Sequence, residues 1–422
     1  MLGAEMIEKL KEYGQEHLIQ YYDEYSEEQK KNFERQLLEL DFSYLDVYEQ
    51  KMAKRKRENQ EETKDCVSVS EDVYEPLLAM KIEEIEKNAA AFDEAGIEAL
   101  KQYKVGAVLL AGGQGTRLGF DKPKGMFNIG VTKELYIFER IISNLLEVVK
   151  KTECPVPLFI MTSEINDADT RSFFKEKNYF GYDEKYVFFF VQSMAPSVSY
   201  DGKFYMAAKD QISLSPNGNG GWFSSMVKSG LLAKIEAMGI EWLNVFSVDN
   251  VLQKIADPRF VGATILSGHP SSAKVVRKAS PDERVGVMCK KNGKPSIVEY
   301  YELTDTMMNE KDSEGEPAYN YGVILNYMFR VKELIAINGN TMTTHMVEKK
   351  IPYIDENGVQ VSPQEPNGYK FETLILDMIN MLDDCLVYEV DRKREFAPVK
   401  NKEGVDSIDT ARELLQYNGV EI

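Results

Sequence analysis

From Val105 onward the chain alternates short apolar runs with amphipathic stretches, a pattern that restricts the fold to a largely parallel sheet joined by crossover helices. Val105–Leu110 is the first apolar run, and it ends in glycines. In Glu134–Lys150, the residues Leu135, Phe138, Ile141, Ile142, Leu145, Leu146 and Val149 share one helical face. The unit then repeats: strands are expected over Leu158–Thr162, Val187–Gln192 and Leu243–Val248, and helices over Asp169–Lys177 and Met226–Met238. Beyond Asp249 the texture turns antiparallel. Val285–Cys289 and Ile297–Tyr301 flank an Asn292-Gly293 pair suited to the positive φ angles of a tight hairpin. A last strand, Leu386–Val390, precedes a helical tail over Asp409–Tyr417.

Ahead of this pattern, Met6, Leu10, Tyr13, Leu18 and Tyr21, and then Phe33, Leu37, Leu38 and Leu40, form stripes at helical spacing. They predict a helical cap or accessory domain. Lys54, Arg55, Lys56 and Arg57 interleave with acids and lack stacking aromatics, so the stretch 51–66 reads as a solvated linker or helix face. Three regions follow: a helical region over 1–100, an α/β domain over 101–398 and a short tail over 399–422.

A net charge of −18 makes a broad cationic face for nucleic acid untenable, so any anionic ligand needs a local site. No apolar run approaches the roughly 20 residues of a membrane span, and the N-terminus lacks a signal-peptide core. A cytoplasmic location without membrane partners is expected. Cys66, Cys154, Cys289 and Cys385 lie far apart without CxxC spacing, which points to free thiols rather than disulfides or zinc.

The local anion site is offered by Leu110-Ala-Gly-Gly-Gln-Gly-Thr-Arg-Leu-Gly119 and Lys122-Pro-Lys-Gly125. A strand end followed by glycines lets backbone N–H groups approach phosphate closely. Between 111 and 130, Arg117, Lys122 and Lys124 face only Asp121, a local balance of +2. Leu118 breaks the GxGxxG dinucleotide pattern, and no GxxxxGK[ST] can be read through Lys124. On spacing alone a glycine-rich surface turn remains the alternative. A second glycine cluster, Ser215-Pro-Asn-Gly-Asn-Gly-Gly221, reads either as a plain loop or as a grip for base or sugar. Asp249 follows a strand, where open α/β sheets bind ligands; it suits Mg²⁺ or, alternatively, a helix N-cap.

The chain has three histidines, His17, His269 and His345, and neither an HExxH element nor a G-x-S-x-G elbow. Chemistry that needs positive charge and a metal more than a proton shuttle remains, and phosphoryl or nucleotidyl transfer is of that kind.

These residues resemble the eukaryotic-type UDP-sugar pyrophosphorylases, and within them the UDP-N-acetylglucosamine pyrophosphorylases. The resemblance runs through Gly14-Gln-Glu-His-Leu18, the LAGGQGTRLG loop, Pro123-Lys-Gly-Met126, Asn217-Gly-Asn-Gly-Gly221, Val248-Asp-Asn250, Ala256-Asp-Pro-Arg-Phe260, Val285-Gly-Val287, Val298-Glu-Tyr300, Pro366-Asn-Gly368 and Arg394-Glu-Phe-Ala-Pro-Val-Lys-Asn401. It implies a Rossmann-like nucleotide-diphospho-sugar transferase fold with a mixed central sheet. The 101–398 region would be the nucleotidyltransferase domain.

The resemblance further implies UTP and a hexose 1-phosphate as substrates, most simply N-acetylglucosamine 1-phosphate, with UDP-glucose or broad UDP-sugar pyrophosphorylase activity as the alternative. Leu110, Ala111, Gly112 and Gly113 would pack around uridine and its phosphates, with Gln192 and Gly218 on the uracil. Arg117 and Lys124 would contact the triphosphate, and Lys400 would reach the phosphates from the far side. Asn219, Gly286, Glu299 and Asn320 would hold the sugar, and Asp249 would bind Mg²⁺.

Two departures stand out. Asn320-Tyr-Gly-Val323 replaces the family's usual Asn-Ala-Gly-Asn near the sugar. Only 22 residues follow Lys400, where larger members carry a β-rich domain, so a monomer is expected rather than a dimer built through that domain.

Overall fold

A computed structural model describes residues 2–61, 72–339 and 342–422. It divides into two compact units: Met1–Glu71 with Ser193–Gly221 and Met342–Leu374, and Asp72–Gln192 with Trp222–Thr341 and Ile375–Ile422. The helical stretch expected over 1–100 is thus shared between them. The described residues up to Glu61 fold with two later segments, while the helices Ile82–Lys87 and Ala89–Lys101 belong to the larger unit.

The larger unit is built on a ten-stranded mixed sheet. Its strands are β1 (Tyr74–Pro76), β2 (Val105–Leu110), β3 (Leu158–Thr162), β4 (Val187–Val191), β5 (Trp242–Ser247), β6 (Ser271–Arg277), β7 (Val287–Lys291), β8 (Lys294–Val298), β9 (Tyr321–Arg330) and β10 (Leu386–Glu389). Strands β5, β2, β3 and β4 run parallel in that order. Every residue of β2 and β3 is buried, as near-continuous apolar runs require in a sheet covered on both faces. β9 lies antiparallel to β5, β6 antiparallel to β9, and β10 parallel to β6, which gives the mixed sheet. The β7–β8 hairpin turns at Asn292 and Gly293, with φ of 54° and 79°.

Crossover helices cover the sheet. Ile137–Thr152 buries Ile137, Phe138, Ile141, Ile142, Leu145 and Val148, and its start is held by the Tyr136 N–H donating to Glu139 Oε2 at 3.2 Å. The single helix expected over Met226–Met238 is two: Trp222–Lys228 and Leu231–Ala237, separated at Gly230, whose φ of 79° no right-handed helix accommodates. Among the described residues no helix is long and apolar enough to cross a membrane.

In the smaller unit, Ala4–Glu12, Glu27–Glu39 and Ser43–Glu61 are helices, joined by the Thr344–Lys349 and Gly368–Thr373 strand pair. The predicted stripe residues Leu10, Leu18, Phe33 and Leu37 pack with Phe204 and Phe371 in its core. The sequence Gly14–Leu18 has a structural task there. The Gln15 side chain donates to Gly202 O at 3.0 Å and accepts from Phe204 N at 2.9 Å. Lys54–Arg57 lie on the third helix, where the Arg55 guanidinium donates to the Tyr369 hydroxyl at 3.0 Å. The remainder of the 51–66 segment past Glu61, with Cys66, lies outside the described residues; Cys154, Cys289 and Cys385 are free thiols.

Candidate active site

The register of the parallel strands gathers Ala111–Gly113, Gln192 and Asp249 along one edge. Ser247 pairs with Leu110, Leu110 with Met161, and Thr162 with Val191. The chain leaves each strand at the same carboxyl edge, carrying Ala111–Gly113, Ser163–Asn166, Gln192 and Val248–Asn250, the position where open α/β sheets bind ligands. Ladder bonds run one residue further: Ala111 N to Met161 O at 2.9 Å, Gln192 N to Thr162 O at 2.8 Å and Val248 N to Leu110 O at 3.1 Å.

The glycine loop then folds back on itself. Lys124 N donates to Gly113 O at 3.2 Å and Gly115 N to Lys122 O at 2.9 Å. This return sets the Lys124 ammonium 2.5 Å from Asp249 Oδ1, with both side chains largely shielded from solvent. Asp249 caps no helix; it sits in a turn after β5. Gly112 lies so near Gln192 that a Cβ there would stand 2.7 Å from its Nε2. Arg117 is exposed on a short turn over Thr116–Leu118 and makes no ion pair among the described residues.

Two buried asparagines to which the sequence assigned no role hold this edge. The Asn166 amide donates to Ala111 O at 2.9 Å and Gly113 O at 3.4 Å, and its Oδ1 accepts from Ser163 N at 2.7 Å. An Asn ahead of a helix reads as an ordinary N-cap, which hid this role. The Asn250 amide donates to Glu395 O at 2.7 Å, and its Oδ1 accepts from Ala397 N at 2.9 Å. Val399 N donates to Asp249 O at 2.9 Å, which brings Lys400 to the same edge. The Lys400 ammonium itself is paired with Asp406 at 3.1 Å.

The residues expected at the sugar divide into three. Gly286 and Glu299 are neighbours: a Cβ on Gly286 would lie 3.6 Å from Glu299 Oε2 and 3.6 Å from Val323. Asn320 directs its Oδ1 to Lys278 N at 3.2 Å. Asn219, with Gly218 expected at the uracil, belongs to the smaller unit. There Asn217 O accepts from Thr373 N at 2.7 Å, and Gly218, at φ 86°, leaves no room for a Cβ, which would fall 2.3 Å from Thr373 O. A separate cavity of about 640 Å³, lined by Glu86, Asp93, Lys254, Asp257, Arg259 and Glu395 among others, includes none of the candidate residues.

Among the described residues no three His, Cys, Asp or Glu side chains cluster to hold a metal by themselves. A cation at Asp249 would therefore complete its shell with phosphate oxygens and water, an arrangement that Mg²⁺ accepts.

Comparison with known proteins places this edge in context. A human protein named UDP-N-acetylhexosamine pyrophosphorylase-like protein 1 is 39% identical over 335 residues, covering 77% of this chain and 66% of its own length. The Saccharomyces cerevisiae UDP-N-acetylglucosamine pyrophosphorylase is 36% identical over 358 residues, 82% of this chain and 73% of that protein. The crystal structure of the Trypanosoma brucei uridine diphosphate N-acetylglucosamine pyrophosphorylase superposes with a TM-score of 0.80 at 28% identity, covering 97% of this chain and 83% of that one. The model of the UTP–glucose-1-phosphate uridylyltransferase family matches residues 43–412. With the glycine loop, Asp249 and Lys124 meeting at one sheet edge, the chain belongs to that family and is a nucleotidyltransferase of the UDP-sugar pyrophosphorylase type.

Proposed function

We propose that this chain joins UTP and N-acetylglucosamine 1-phosphate to give UDP-N-acetylglucosamine and pyrophosphate, with Mg²⁺ as cofactor. The observation that carries the assignment is the meeting of the signature loop's Lys124 with Asp249 at the carboxyl edge of adjacent parallel strands. The N-acetylated sugar follows the names of the yeast and trypanosomal relatives. We place the protein in the cytoplasm on its free thiols.

A phosphate oxygen of the sugar 1-phosphate attacks the α-phosphorus of UTP in line; the bond to the β-phosphate oxygen breaks and pyrophosphate leaves. The nucleophile is already anionic at neutral pH, so no histidine base is required. Leu110, Ala111, Gly112 and Gly113 pack around the uridine and its phosphates, the two glycines bringing bare main chain, with Gln192 and Gly218 on the uracil. Arg117, Lys124 and Lys400 stabilise the oxygen charge that grows on the α-phosphate and the leaving group. Asn219, Gly286, Glu299 and Asn320 hold the sugar. When bound at Asp249, Mg²⁺ supplies neutralisation of phosphate charge.

A second reading, a UDP-glucose or broad-specificity pyrophosphorylase, draws on Tyr321 and Val323 in the sugar segment and on Asn320 facing Lys278 N. The test is a panel: pyrophosphate release from UTP with N-acetylglucosamine, N-acetylgalactosamine, glucose and galactose 1-phosphates, with the nucleotide sugar identified by mass spectrometry. Fastest turnover on N-acetylglucosamine 1-phosphate is expected. Preference for glucose 1-phosphate selects the second reading, and no pyrophosphate from any sugar overturns both.

A further inference from the structure

Lys274 on β6 is a lysine with no solvent exposure. Its ammonium donates to Glu395 Oε2 at 2.6 Å and to Asp257 Oδ2 and Lys254 O, both at 3.4 Å. Glu395 Oε1 lies 3.3 Å from the Lys254 ammonium, so each carboxylate oxygen has a cation. Glu395 in turn holds Lys254 above the ordinary lysine range.

A buried pair of this kind is seldom more stabilising than apolar side chains of the same volume, so stability alone does not account for it. What it supplies is a fixed point. Glu395 is anchored through its side chain, while its main-chain oxygen accepts from Asn250. From there the chain is laced to the Asp249 turn: Ala397 N to Asn250 Oδ1, Val251 N to Ala397 O at 3.2 Å, and Val399 N to Asp249 O. Lys400 is the next residue.

We propose that Lys274 and Glu395 are positioning residues: their buried ion pair fixes the course of residues 395–399 and thereby places Lys400 and the Asp249 main chain at the catalytic edge. The pair acts only through those two groups, so the proposal rests on the roles given to Lys400 and Asp249 above.

The experiment removes both charges together, so that neither is stranded, in Lys274→Met/Glu395→Leu. Amide exchange of Glu395, Phe396, Ala397 and Val399 is expected to quicken about tenfold or more, with exchange in β2 and β3 unchanged. With UTP and N-acetylglucosamine 1-phosphate, kcat is expected to fall by about tenfold to a hundredfold. In a Lys400→Ala background the same pair of changes costs less than it does in wild type, because one of the two groups it positions is gone. Unchanged exchange, or a loss in kcat fully additive with Lys400→Ala, overturns the proposal. If the double variant does not fold, Glu395→Gln, which keeps the size of the side chain, is read by the same measures. If wild-type protein turns over no sugar 1-phosphate, the functional reading fails, and the exchange measurement still decides the positioning role.

Discussion

The Lys124 ammonium stands 2.5 Å from Asp249 Oδ1, so the cation proposed for the triphosphate and the carboxylate proposed for the metal neutralise each other before substrate arrives. Mg²⁺ and UTP together bring one partner for each, and the pair can separate without stranding a charge. Asp249→Asn is expected to lower kcat/KM by about 10²–10³-fold, the usual cost of a lost charge-stabilising group. Lys124→Met should lower it similarly yet free Asp249, so that Mn²⁺ binding without nucleotide, read by electron paramagnetic resonance, tightens about threefold to tenfold. Unchanged Mn²⁺ affinity in that variant would show that the pair does not guard the carboxylate.

Asn166 sets the shape of the glycine loop without carrying charge. Asn166→Ala leaves the carbonyls of Ala111 and Gly113 without their side-chain donor and the Ser163 N–H without its acceptor, at a cost of about 1–3 kcal/mol in a buried site. The KM for UTP should rise about tenfold while kcat changes less, since the loop's placement, not its cations, is lost. Asn166→Asp keeps the acceptor and should retain the bond to Ser163. A urea titration and steady-state kinetics on the two variants separate these effects.

Alternation of apolar runs and amphipathic helices was enough to read the parallel half of the sheet, because β2, β3 and β4 are local elements whose burial their own residues dictate. The antiparallel half was less legible. β9 spans Tyr321–Arg330 and pairs with β5, β6 and β7, and such long-range partners leave no trace in local spacing. The two-unit arrangement was hidden for the same reason: Phe204 and Phe371 close a core begun by Leu10 and Phe33. At the site, charge and glycine marked Lys124 and Asp249, whereas Asn166 and Asn250 act through main-chain bonds open to any loop asparagine.

Gly112 and Gly218 are glycines for different reasons, and alanine should separate them. At Gly112 the added methyl meets the far end of the Gln192 side chain, which can swing away. Gly112→Ala should therefore fold with a melting temperature within about 2 °C of wild type, and its penalty on UTP should vanish in a Gln192→Ala background. At Gly218 the methyl meets the Thr373 carbonyl at 2.3 Å on a backbone of φ 86°, where nothing flexible can yield. Gly218→Ala should cost about 1–3 kcal/mol by calorimetry. Equal stability losses in the two variants would contradict the distinction.

His17 makes the smaller unit sensitive to acid. Phe204 O lies 2.8 Å from Nε2 and can only accept, so that nitrogen carries the proton, and Nδ1 is buried with no partner among the described residues. A second proton would sit on Nδ1 without an acceptor. Burial lowers the pKa below the ordinary 6.5, and Lys203 adds to this; the Phe204 carbonyl, Asp201 and Glu16 pull the other way without cancelling it. The unfolded chain therefore takes up the proton before the folded one does. The contribution to stability is whole above about pH 6.5 and drains as pH falls from there through the folded pKa. His17→Gln keeps a donor for Phe204 O and cannot titrate. The difference in urea midpoint between pH 7.5 and pH 5.5 should be smaller in His17→Gln than in wild type; an identical difference would exclude His17 as its source.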